Sequence, residues 1–109
     1  MTISLTTESF KTSVIDSGAT ALVDFHADWC APCRAQGPIV DALAESHGAQ
    51  ALIAKVDVEA EPALAHLLQV RALPTLVLFS GGKIVQRFTG LTDRDTLASA
   101  LRHAGGAGA

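Results

Sequence analysis

The chain has 109 residues, 49% of them hydrophobic and 17% charged, which sets it apart from disordered segments and predicts one domain around one well-buried core. Eight Lys and Arg against eleven Asp and Glu give a formal charge of -3 with no basic run, so nucleic acid is not expected as a partner. No apolar stretch reaches the length of a membrane span, and the start MTISLTTESF has neither the basic nor the apolar region of a signal peptide; no membrane association and a cytoplasmic location are expected.

A short strand around Ile3 to Leu5 comes first. Thr6 or Thr7 then caps a helix whose Phe10 and Val14 share one face, and Gly18 ends it. Residues 21–25 are too few for an amphipathic helix and are apolar on both parities except at Asp24, the pattern of a central strand covered on both faces. From Cys33 to His47 the apolar positions Ile39, Val40, Leu43 and Ala44 recur at helical spacing; Pro38 inside this pattern predicts a kink, and Gly48 a left-handed stop. Residues 51–57 read as a second buried strand interrupted by Lys55, and Pro62 opens a short helix through Leu68. Two further strands, 75–79 and 83–88, flank Gly81-Gly82 as an antiparallel hairpin. Thr92, with Asp95 in a capping-box-like position, starts a last helix carrying Leu97 and Leu101. The order βαβαβαββα predicts an α/β fold, a central mixed sheet with helices on both faces. The domain is expected over residues 1–104, followed by a flexible Gly/Ala tail over 105–109, whose composition buries too little surface to offset its ordering entropy.

The strongest chemical signal is Trp29-Cys30-Ala31-Pro32-Cys33, placed where a buried strand gives way to a helix. Two cysteines three apart in that setting point to thiol redox chemistry. At a helix start, i and i+3 side chains share a face and can form a disulfide. Free N–H groups and the positive end of the helix dipole favour an anion at Cys30, making it the attacking sulfur. Cys33, one turn inside, is expected to be less accessible and to resolve the mixed disulfide that Cys30 forms. Pro32 suits the first turn because the N–H it lacks would go unpaired there. The competing reading is half a zinc site, but four ligands are needed and His26, His47, His66 and His103 are scattered, so no metal is expected.

Asp24 lies six residues before Cys30 among apolar neighbours. Burial raises the pKa of such a carboxylate and suits it to proton exchange with the resolving thiol. Lys55 either neighbours it on the adjacent strand or snorkels to the sheet edge. In Leu73-Pro74-Thr75 a proline just before a buried strand marks a fixed turn, with cis and trans both open. Asp57, Glu59 and Glu61 read as a solvated acidic loop that favours the following helix start.

The segments VDFHADWCAPC, AKVDVE and RALPTLVLF, the GG hairpin and FTGL resemble the thioredoxin family in order and spacing, from about residue 2 to residue 103. The resemblance implies a thioredoxin fold and a dithiol-disulfide oxidoreductase that reduces protein disulfides. By it, Cys30 is the nucleophile, Cys33 the resolving thiol, Asp24 the carboxylate assisting it and Lys55 that carboxylate's neighbour. Pro74 matches the family's cis-proline; with Trp29, Ala72, Leu73, Gly90 and Leu91 it implies an apolar rim where a substrate's extended backbone docks. The implied partners are disulfide-containing proteins and a flavin-containing thioredoxin reductase. No resident cofactor is expected beyond the redox-active cysteine pair, because the chain lacks a dinucleotide fingerprint, and a monomer is expected.

Four positions depart from the family pattern; Arg34 takes the place of a common lysine and keeps the charge, and the other three are expected to alter the site. Ala31 replaces the glycine of WCGPC, in a motif whose remaining inner residue is Pro32. Ala72 stands where glycine often precedes the proline pair. His26 occupies a position commonly held by tryptophan; a protonated imidazole there would favour the thiolate and a more oxidising protein, a neutral one would alter packing. A thiol oxidant or disulfide isomerase on the same fold, and a non-catalytic binding module, are the competing functional readings.

Overall fold

The computed structural model describes residues 2–107. Strand β1 (Ile3–Ser4) leads into α1 (Thr7–Phe10), which continues as a π-helical stretch over Lys11–Asp16. Then follow β2 (Ala21–His26), α2 (Ala31–His47), β3 (Leu52–Asp57), α3 (Pro62–Leu67), β4 (Thr75–Ser80), β5 (Lys83–Thr89) and α4 (Arg94–Ala107). The expected βαβαβαββα order is therefore present. The sheet runs β1-β3-β2-β4-β5, with β1, β3 and β2 parallel and β4 antiparallel to both β2 and β5. Its twofold side-chain period divides the core in two. Ala21, Val23 and Phe25 of β2 face the side of α1 and α3, packing with Phe10, Val14, Leu64 and Phe79. Leu22 faces α2 and α4, packing with Val40, Leu43, Leu97 and Leu101. Asp24 and His26 share the parity of Leu22, so they project toward α2.

Local chemistry fixes the boundaries. Thr6 caps α1, its hydroxyl accepting from the Ser9 N–H at 3.1 Å while the Ser9 hydroxyl accepts from the Thr6 N–H at 2.8 Å. Glu61 is not an idle member of an acidic loop: Oε1 accepts from the Thr7 N–H at 2.7 Å, putting a carboxylate on the positive end of α1. Gly81 and Gly82, at φ +62° and +77°, make the two-residue turn between β4 and β5.

Several expectations need correction. Gly48 closes α2 at φ -62°, in the right-handed region, with its N–H on the Ala44 carbonyl; a side chain there would meet that same carbonyl, so space and not handedness selects glycine. Helix α2 begins at Ala31, before the Cys33–His47 stripe read from the sequence, and has Pro38 inside it. The cap of α4 is Asp93, whose Oδ1 accepts from the Thr96 N–H at 3.2 Å, while the Thr92 hydroxyl donates to the Gly90 carbonyl at 3.0 Å. Helix α4 also extends through 105–107, into the segment expected as a tail, and Gly108 and Ala109 lie outside the described residues.

Candidate active site

The site forms where β2 ends and α2 begins. Cys30 is the N-cap of α2 in extended conformation, and its Sγ accepts from the Cys33 N–H at 3.3 Å. Cys30 and Cys33 are joined by a disulfide with Cα atoms 5.2 Å apart, as the one-turn spacing requires. Ala31 and Pro32 fill the intervening turn and are exposed. The Arg34 Nη1 donates to the Asp28 carbonyl at 2.9 Å, tying the helix back to the loop before it. Each cysteine is 5% exposed as a residue, but only Cys30 lines the open cleft in front of the disulfide, whereas Cys33 lines the cavity behind it. The bond holds both beneath one apolar cover of Ala27, Val58 and Leu73.

Asp24 is 2% exposed, and Lys55 is its register partner on β3, which decides for the neighbour and against the sheet edge. Burial pushes the Asp24 carboxyl up to about 7, an effect that Lys55 opposes and Asp41 reinforces. Asp24 and Cys33 line one cavity of about 370 Å³ behind the disulfide, shared with His26, Lys55 and Arg34. The His26 imidazole is held below its ordinary value, first by burial, with Asp57 pulling the other way. Burial and Lys55 both act against the charged form of the ring, the form a thiolate-stabilising role would need.

In front of the disulfide lies an open cleft of about 600 Å³. Of the expected rim, Trp29 and Leu73 line it together with Cys30, Ala31 and Pro32. Trp29 is 68% exposed, no part of the core, and its Nε1–H donates to Glu59 Oε1 at 3.1 Å. Ala72, Pro74, Gly90 and Leu91 fall outside the cleft lining. The Leu73–Pro74 bond is cis, and the Pro74 carbonyl accepts from the Gly90 N–H at 2.8 Å, joining two of these segments.

Sequence reading missed two contributors. Val58, Pro62, Ala65, His66, Val70 and Arg71 complete the cleft wall, brought there by α3 and the loops on either side of it. Gln36 is fully buried on α2 one turn beyond Cys33, and it binds both backbone groups of Thr92. Its signal was available: 33, 36, 40 and 43 trace one helical stripe, and a polar member of such a stripe needs partners.

Among the described residues no cluster of three or more His, Cys, Asp or Glu is arranged to hold a metal ion, and no helix is long and apolar enough to cross a membrane.

Residues 1–103 match the family model described as Thioredoxin. The chain is 40% identical over 105 residues to a thioredoxin of Mycolicibacterium smegmatis, covering 94% of each chain. It is 36% identical over 96 residues to a thioredoxin of Chlorobaculum thiosulfatiphilum, covering 88% of this chain and 89% of the relative. Among solved structures, a mutant thioredoxin from Halobacterium salinarum NRC-1 superposes with a TM-score of 0.86 at 37% identity, over 94% of this chain and 89% of that one.

Proposed function

The chain belongs to the thioredoxin family and is a thiol-disulfide oxidoreductase that reduces protein disulfides; we propose that it does so through a mixed disulfide on Cys30, which Cys33 resolves. In the reduced protein the Cys30 thiolate attacks one sulfur of a substrate disulfide. A Cys30–substrate bond forms, and the other substrate sulfur leaves with the electron pair of the broken bond. Cys33 then gives its proton to the Asp24 carboxylate and attacks the Cys30 sulfur. The second substrate sulfur departs, leaving the Cys30–Cys33 disulfide.

The observation that carries this assignment is the position of Cys30 at the start of α2 with the Cys33 N–H aimed at its sulfur. That donor and the helix dipole stabilise a thiolate at Cys30 and offer no such help to Cys33. Asp24, pushed up to about 7, is matched to proton transfer near neutrality, and Lys55 keeps part of it ionised. Trp29, Leu73 and the Ala72, Pro74, Gly90 and Leu91 segments would receive the substrate's extended backbone beside the disulfide. Ala31 and Pro32, between the cysteines, set the redox balance of the pair.

The partners in this reading are disulfide-containing proteins, with a flavin-containing thioredoxin reductase returning two electrons to the pair. The protein acts as a monomer with no resident cofactor, in a reducing compartment such as the cytoplasm.

The test is covalent trapping. Cys33→Ser, incubated with a disulfide substrate, should accumulate a dithiothreitol-sensitive adduct on Cys30, and Cys30→Ser should accumulate none. An adduct on Cys33 in the Cys30→Ser protein, with none in Cys33→Ser, would reverse the roles.

A further inference from the structure

The register of β2 against β3 gathers four titratable side chains on one face of the sheet. Asp24 and His26 lie two residues apart on β2, opposite Lys55 and Asp57 on β3, and all four project to the side that α2 covers. The cavity of about 370 Å³ over this face is lined by Asp24, His26, Lys55 and Cys33. Two buried polar atoms in these residues have no hydrogen-bond partner, Asp24 Oδ1 and His26 Nε2. The exchange reaction uses the first and leaves the second unexplained. Unpaired buried polar atoms are rare enough that each calls for a reason. His26 as a whole is only half-buried.

We propose that His26 is a second station on the proton path of the resolving step, taking from Asp24 the proton that Cys33 releases and delivering it to solvent. The inference rests on Asp24 being the base for Cys33. Cys33 S–H breaks with its pair left on sulfur, and the proton goes to Asp24. The sulfur pair forms the Cys33–Cys30 bond, and the Cys30–substrate bond breaks with its pair on the departing sulfur. The Asp24 proton crosses to the His26 imidazole within the cavity that both side chains line. His26 gives it up at the surface, and the substrate thiolate is protonated from solvent. No electron passes through His26, which acts through Asp24 without touching the reacting sulfurs.

The surroundings suit the two groups to exchange a proton. Facing them are Lys55 and Asp57 from β3, Arg34 and Asp41 from α2, and Asp28 from the loop between β2 and α2. Burial, the main effect on both, raises the carboxyl to about 7 and lowers the imidazole from its ordinary 6.5. The two groups share one face and one cavity, so they titrate as a coupled pair.

The test follows release of substrate thiol from a preformed Cys30 mixed disulfide, in single turnover across pH. His26→Gln keeps bulk and hydrogen bonding but cannot carry a proton at these pH values. It should slow release roughly 10- to 100-fold near pH 7, a general acid-base effect, and lose the imidazole ionisation from the profile. His26→Ala should be equally slow and should recover with added imidazole. In an Asp24→Asn background, His26→Gln should add no further loss. Wild-type rate and profile in His26→Gln, a defect in His26→Ala that His26→Gln repairs, or no rescue by imidazole would overturn the inference. Adduct formation by Cys33→Ser is independent of the relay, so its failure would indict the exchange reading instead.

Discussion

Gln36 and Thr92 are closed into a ring by two hydrogen bonds: Gln36 Oε1 accepts from the Thr92 N–H at 2.8 Å, and Gln36 Nε2 donates to the Thr92 carbonyl at 2.9 Å. The pair ties the first turns of α2, which carry both cysteines, to the loop holding Gly90 and Leu91. Cys33 and Gln36 are one turn apart, so the redox helix is tethered directly to the proposed docking loop.

Gln36→Ala leaves the partly buried N–H and carbonyl of Thr92 without their partner and opens a cavity in α2, which costs about 1–3 kcal/mol in urea unfolding. Gln36→Leu restores volume but not the bonds and should recover little of that. Full recovery by leucine would show that packing, and not the clamp, holds the loop.

Asp24 makes stability depend on pH. Its pKa is raised on folding from 3.8 to about 7, so between those values the folded chain binds the proton that the unfolded chain has released. Its contribution is therefore greatest below about pH 4, falls as pH rises through about 7, and is level above that. A rise of roughly three units corresponds to about 4 kcal/mol at most. In the oxidised protein, Asp24→Asn should gain about 2–4 kcal/mol over wild type at pH 8 and little at pH 4, while slowing resolution of the mixed disulfide. An equal effect of the substitution at both pH values would place the carboxyl outside the buried site.

Trp29 is exposed and bonded only at its indole N–H, so its large apolar face is available to a substrate. Trp29→Ala should change unfolding free energy by less than about 0.5 kcal/mol and raise KM for a protein disulfide roughly 3- to 10-fold. Trp29→Phe, which keeps a ring and loses the bond to Glu59, should sit between the two. A large loss of stability with unchanged KM would reassign Trp29 to the fold.

The two glycines of the hairpin turn differ in what they require. A side-chain carbon on Gly82 would stand 2.9 Å from the Ile15 carbonyl oxygen, whereas one on Gly81 meets nothing within 4 Å. Gly82→Ala should destabilise by about 1–3 kcal/mol through left-handed strain and this clash. Gly81→Asn, suited to positive φ, should lose under about 1 kcal/mol. Equal losses at both positions in thermal unfolding would mean that conformation alone, and not the approach of Ile15, sets the requirement.

The sequence by itself determined the alternation of elements, the glycine hairpin, the burial of Asp24 and the redox pair at a helix start. Each rests on a short-range periodicity or on chain geometry within a few residues. Only the tertiary structure decided that Lys55 stands opposite Asp24, that α3 walls the cleft, that Glu61 caps α1, that Cys30 and Cys33 line different cavities, that Gln36 takes the backbone groups of Thr92, and that Asp93 caps α4. These depend on strand register and on contacts between residues up to 56 positions apart, which local pattern cannot encode. His26 joins both levels: parity put it on the face of Asp24, and the closing of α2 over that face left its buried nitrogen without a partner.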